Sequence, residues 1–276
     1  MLFFTGKLLN KQKYFQVQPA EFRFYLFKIM KNGEKSFGRL FEIVEILAQT
    51  HNGMTGKTLA ELSGIPASTT FRMLKFLVKH DFLCVDRGVY TLGVGFVRWG
   101  NVACKQNPLI KAARPVLEEL SYQTGETVHL AKLRNDKIVY IDKVEGKRPT
   151  RMGSLIGKLN PLHCTGVGKA IFAFQTAEVQ AKLLAGMEYT KFTATTIITE
   201  EAMRRELELI RQQGYAVDNC EHENWVYCIA APILTRSGEC IAGISISGTD
   251  IYMKESCEKL TRLITAASRR ISENLM

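Results

Sequence analysis

The chain has 276 residues, 46% of them apolar and 23% charged, a balance that suits two folded domains and excludes wholesale disorder. Its net charge of +10 is unevenly spread: residues 1–30 hold five basic groups and one acidic, residues 31–106 ten and six, and residues 107–276 twenty-two and twenty. A basic front joined to a near-neutral back suits a polyanion-binding module attached to something else, with a solvated lysine-rich surface as the plain alternative.

Residues 1–30 are aromatic and basic, without helical or strand period. They are read as an extension with Met30 as the physiological start; a basic arm that touches DNA or a membrane surface is the competing reading. From Ser36, a candidate N-cap, helical spacing begins with Phe37, Leu40, Phe41, Val44, Leu47 and Ala48, and Asn52-Gly53 ends it. A short helix over Gly56–Ser63 follows, capped by Thr55 and stopped by Gly64. Pro66 opens a third helix to about Asp81, with Thr70, Leu74, Leu77 and Val78 inward. Phe82–Val85 and Val89–Leu92 are strand-like, and Asp86-Arg87-Gly88 between them supplies a tight reversal through the glycine. Three helices and a hairpin in this order predict a winged helix-turn-helix.

A linking helix is expected from Val94 to about Lys105, and another from about Leu109 to Thr124. Strands over Thr127–Leu133 and Lys137–Val144 precede a glycine-bearing loop, Gly153–Gly168, and helices over Lys169–Phe174, Ala177–Leu184 and Glu200–Gln213. Strands Tyr215–Asp218, Cys228–Leu234 and Cys240–Ser247 and a closing helix from about Met253 to Asn274 complete an α+β chain with an antiparallel sheet. The expected organisation is an extension over 1–30, a winged helix-turn-helix over 31–92, a linker helix over 93–107 and a ligand-binding domain over 108–276. No apolar run is long enough to span a bilayer and the opening stretch is too short for a secretory signal, so no membrane partner is expected; seven cysteines, an odd number with no disulfide framework, suit reduced thiols in a cytoplasmic protein.

Two constellations carry chemistry. Ser68, Thr69, Phe71, Arg72 and Lys75 lie on the third helix away from its apolar side. Arg72 can read a guanine edge with two parallel hydrogen bonds, Ser68 and Thr69 can meet phosphate at the helix start, and Lys75 can contact phosphate. An ordinary polar helix face would look the same in isolation; the full helix-turn-helix-wing order on the basic half favours double-stranded DNA. Arg87 at the hairpin tip can reach a neighbouring groove or simply be a solvated turn residue. In the second half, Gly166-Val167-Gly168 opens a helix where bare backbone N–H groups can approach an anion, a weak signal alone. Ser245 and Ser247 sit two apart on one strand and so share a face, which suits either a polar ligand or neighbouring backbone.

Residues 36–275 resemble the IclR family of bacterial transcription regulators. The likeness rests on residues 63–74 (SGIPASTTFRML), 160–170 (NPLHCTGVGKA), 210–218 (IRQQGYAVD), 228–232 (CIAAP) and 243–247 (GISIS), in that order. Within the family the chain is similar to sugar-acid regulators of the 2-keto-3-deoxygluconate type. The resemblance implies a GAF-like effector domain, dimers or tetramers, no cofactor and no enzymatic activity, and a small organic acid or sugar acid as effector. It implies control of a carbon-catabolic operon, with repression as one mode. Its effector positions map onto the backbone of Gly166 and Val167 and onto Asp218, Cys228, Ser245 and Ser247, with Met152 and Leu155 as apolar wall. Two positions depart from the family pattern: Trp225 stands where relatives carry glycine, and Ala67 where they often carry lysine.

Two rivals stay open on sequence. Cys228 with His163 or His222 would give a thiol nucleophile and base, without a supporting local signature. Cys220, His222, Cys228 and His163 would give a metal- or redox-responsive regulator, although Cys-x-His is a poor zinc spacing and the seven cysteines include no Cys-x-x-Cys.

Overall fold

The structure, a computed structural model, describes residues 35–148 and 153–275. The readings made for residues 1–30 and for Met152 lie outside them. The chain divides into two compact units, with the boundary between Val102 and Ala103.

The first unit begins with α1 (Lys35–Ala48), then β1 (Met54–Thr55), α2 (Gly56–Ser63) and α3 (Ala67–Lys79). The hairpin β2 (Leu83–Asp86) and β3 (Val89–Leu92) follows, then α4 (Val94–Gln106), which runs across the boundary between the units. Thr55 caps α2, its Oγ1 accepting from Thr58 N at 3.2 Å, and Gly64 stops the helix in the left-handed region at φ 66°. Ile43, Leu47, Leu59, Ile65, Leu74, Leu77 and Leu83 form the core. At the hairpin tip both Arg87 (φ 46°) and Gly88 (φ 80°) are left-handed, the geometry of a type I′ turn, whose twist matches that of its strands. The two-residue β1 was not foreseen; it pairs with β3 to make a three-stranded sheet. Ser36, read as an N-cap, lies inside the first turn of α1, and Pro66 occupies the N-cap of α3 rather than its first turn.

The second unit opens with α5 (Pro108–Thr124), capped by Asn107, whose Oδ1 accepts from Leu109 N and Ile110 N. There follow β4 (Thr127–Arg134), β5 (Lys137–Val144), β6 (Leu159–Pro161), α6 (Gly166–Ala173), α7 (Ala177–Ala185) and α8 (Glu200–Gln213). The chain ends with β7 (Ala216–Asn219), β8 (Val226–Leu234), β9 (Cys240–Thr249), α9 (Asp250–Glu255) and α10 (Cys257–Asn274). The six strands form one antiparallel sheet in the order β6-β5-β4-β9-β8-β7. One core, with Leu117, Leu120, Ile229, Ile244, Ile246 and Ile264, joins α5 and α10 to one face. The other, with Ala131, Ile138, Val167, Ile171, Met203 and Ile210, joins α6 and α8 to the opposite face. The unit is therefore helix, sheet, helix in three layers. The expected closing helix is two helices that break at Ser256, and β6 emerges from what reads as loop.

Candidate functional site

On α3, Thr70, Leu74 and Leu77 are buried, while Ser68, Arg72, Lys75 and Lys79 are exposed at the i, i+4, i+7 and i+11 positions of one stripe. The helix start is fixed from inside the unit: Thr70 Oγ1 donates to the carbonyls of Ile65 and Pro66, both at 3.3 Å. The Pro66 ring has no polar atom to cap the helix, so the amides of Ala67 and Ser68 are open to an outside acceptor, while Thr69 N donates to Pro66 O at 2.9 Å. Thr69 is half-buried. Phe71 is 48% exposed, with one ring edge over Gly56 so closely that a Cβ there would lie 2.5 Å from it. Its ring thus helps set how α2 and α3 meet. Arg87 is exposed at the hairpin tip.

In the second unit one pocket lies between α6 and the sheet. It is a narrow cleft open to solvent at its mouth. The Gly166-Val167-Gly168 stretch, expected at the opening of a helix, is the first turn of α6, so the amides of Gly166 and Val167 carry the positive end of the helix dipole into the pocket. Its N-cap Thr165 points elsewhere, donating to Pro161 O at 2.8 Å. A Cβ on Gly168 would collide with Thr165 Oγ1 and Leu162 O, so glycine permits this turn. On β9, Ile244 and Ile246 enter the core while Ser245 and Ser247 face the pocket. Gly243, on the pocket side, lets Val167 and Ile171 pack against the strand. Asp218 closes the site from β7 and Cys228 from β8, with Asp218 directly opposite Cys228 in the register. The structure thus gathers Gly166, Val167, Asp218, Cys228, Ser245 and Ser247 at one pocket. Leu155 is not among its lining residues: it stands 64% exposed, because Gly157 N donates to Tyr140 O and the turn sends Ser154 inward and Leu155 out.

His129, Tyr140 and Ser154 also line the pocket and escaped the sequence reading. The His129 ring lies 4.6 Å from that of Tyr140, its Nε2 sits 2.7 Å from Ser154 Oγ and its Nδ1 3.3 Å from Ser247 Oγ. Burial, then the nearby Lys143 charge, push its pKa down to about 3, so the ring is neutral. Asp218 is 2% exposed. Burial pushes its carboxyl up to about 7, against the pull of the Glu221 amide that donates to Oδ1 at 2.7 Å; the Glu221 charge adds to the rise. Beneath the pocket Lys169, 1% exposed, donates to Glu221 at 2.5 Å and Glu206 at 2.8 Å. Burial opposes its charge, but the two carboxylates more than restore it.

Burial raises the Cys228 thiol well above its ordinary value, leaving no thiolate at neutral pH. His163 turns away, its Nε2 3.1 Å from Thr190 O. Among the described residues no three His, Cys, Asp or Glu side chains gather as a metal-holding group. Trp225 adopts left-handed backbone at φ 71° and is 73% exposed; it sits beside pocket-lining Val226 but does not line the pocket. That conformation suits glycine, and an indole there costs on the order of 1 kcal/mol.

Residues 36–87 match the IclR helix-turn-helix domain, and residues 102–273 match the bacterial transcriptional regulator IclR C-terminal domain. The chain belongs to the IclR family. Among IclR-type relatives, the transcriptional regulator KdgR of Escherichia coli is 33% identical over 241 residues, covering 86% of this chain and 91% of KdgR. XynR of the same organism is 34% identical over 216 residues, covering 77% and 85%. The IclR structure from Thermotoga maritima superposes with a TM-score of 0.75 at 30% identity, covering 87% of this chain and 98% of that one. The protein is thus a DNA-binding transcription regulator and not an enzyme, built as a helix-turn-helix domain and a curled antiparallel-sheet domain. Among the described residues no helix is long and apolar enough to cross a membrane.

Proposed function

We propose that this IclR-type regulator binds operator DNA through α3 and the hairpin, and releases or engages it in response to a small organic acid or sugar acid. The observation that carries the effector reading is the pocket in which the open amides of α6 face two serine hydroxyls and a buried carboxyl. The amides and Ser245 and Ser247 hold the carboxylate, and Asp218 and Cys228 meet the rest of the molecule. The likeness to KdgR favours a sugar acid and a carbon-catabolic operon. On DNA, Arg72 reads a base, Ser68, Thr69 and Lys75 contact phosphate, Phe71 packs at the groove edge, and Arg87 reaches the next groove. A cytoplasmic dimer or tetramer places two α3 helices in successive major grooves. Effector shifts the balance between arrangements of the DNA-binding units through its different affinity for each.

Arg72→Ala is expected to weaken operator binding by about 1–3 kcal/mol and relax sequence preference, whereas Lys75→Ala reduces the salt slope by about one with preference intact. Gel-shift titrations across salt and operator variants measure both; unchanged affinity and preference in the Arg72 variant removes the base-reading role. Ser245→Ala with Ser247→Ala is expected to abolish the response to effector while DNA binding persists. Genome-wide mapping of bound DNA supplies the operator, and its neighbouring genes indicate which acids to test. Induction retained by the double variant places the effector elsewhere.

A further inference from the structure

We propose that the pocket takes its effector as a monocarboxylate together with one proton on Asp218, so that affinity falls as pH rises through neutrality. The inference rests on the effector reading above. Asp218 lines the pocket, is 2% exposed, and its carboxyl accepts from the backbone amides of Glu221, on Oδ1, and of His222, which offset only part of the cost of burial. The groups around it come from every neighbouring element. Lys169 stands on α6, Cys220, Glu221, His222 and Glu223 on the turn after β7, Tyr140 on β5, Cys228 on β8, and Cys164 before α6. Lys169 is the one cation in this set, and its ammonium is already bound to Glu221 and Glu206. An ionised Asp218 would add another negative charge to that cluster before any ligand arrived.

The open amides of α6 offer about half a positive charge. That suffices for one anion and not for an anion facing a carboxylate. Two like charges in one buried site hold a shared proton. The proton comes from solvent: the monoanion enters, Asp218 gains H⁺, and the site's net charge is unchanged. The neutral carboxyl then donates a hydrogen bond to the ligand's carbonyl or hydroxyl oxygen. The raised Asp218 pKa, about 7, places the transition at neutral pH. The sign follows: below that value the proton is already present and affinity is flat; above it the proton must be taken up, and affinity falls about tenfold per pH unit.

The test is calorimetry on the full chain with pyruvate, 2-oxobutanoate, lactate and gluconate from pH 6 to 8.5, in two buffers of different ionisation enthalpy. These acids stay ionised throughout that range. The expected result is proton uptake rising from near zero at pH 6 towards one at pH 8, with affinity lost in step. Asp218→Asn, a permanent neutral donor, is expected to hold affinity constant within about threefold across the range. Should that variant not fold, His222→Gln decides: uptake persists if Asp218 carries the proton and disappears if His222 does. Binding without proton uptake, or unchanged pH dependence in Asp218→Asn, overturns the proposal and leaves the effector reading standing. Failure of all four acids to bind at any pH overturns that reading and this one with it.

Discussion

Lys169→Met is expected to destabilise the second unit by about 3–5 kcal/mol at pH 8, the cost of breaking a buried ion pair from one side. The ammonium is 1% exposed and bound by two carboxylates, and Glu221, itself 5% exposed, has one oxygen without a hydrogen-bond partner. Removing the cation strands Glu221 in a low-dielectric site. The variant can relieve this only by protonating the carboxyl, so the loss shrinks as pH falls. Lys169→Met combined with Glu221→Gln removes both charges and should recover most of the stability. Denaturant titrations of the two variants at pH 6 and pH 8 measure this. Equal losses in the single and double variants would show that packing, and not charge, holds Lys169 in place.

Leu74→Ala is expected to cost about 2–5 kcal/mol and to abolish operator binding without touching the DNA face. Leu74 is fully buried on α3, in one cluster with Leu59, Leu77 and Leu83. The described part of the first unit has about 70 residues, and a domain of that size has roughly 4–10 kcal/mol of stability in all. A cavity beneath α3 therefore removes much of the margin that holds the proposed DNA-reading stripe rigid. Differential scanning calorimetry should show an early transition for the first unit, and the second unit's transition should stay in place. A variant that melts normally but fails to bind DNA would point instead to a local tilt of α3.

The first unit was largely legible in the sequence because its signals are local. Thr55, Gly64 and the Arg87-Gly88 pair announce caps and a turn within a few residues of where they act, and the Thr70, Leu74, Leu77 spacing names the inward side of α3. In the second unit, the two-residue period of β9 placed Ser245 and Ser247 on one face. Strand order has no local signal. His129 reaches Ser247 because β4 pairs with β9 across more than a hundred residues, and nothing near His129 announces that. Lys169 sat inside a quoted motif, yet its partners Glu206 and Glu221 lie on α8 and beyond β7, so the buried cluster emerged only in three dimensions. The glycine stretch stands in the sequence at the junction of a loop and a helix, and the helix begins at Gly166 rather than Lys169, because Gly168 inside a first helical turn looks like a helix breaker until its close neighbours are known.

The division of labour along β9 has an evolutionary consequence. Odd-numbered positions 243, 245 and 247 address the pocket side while Ile244 and Ile246 address the core. On the effector reading proposed above, exchange at 245 or 247 among small side chains retunes which metabolite is sensed while the core face of the strand stays intact, so a duplicated gene can drift to a new effector by single steps. The even-numbered neighbours have no such freedom.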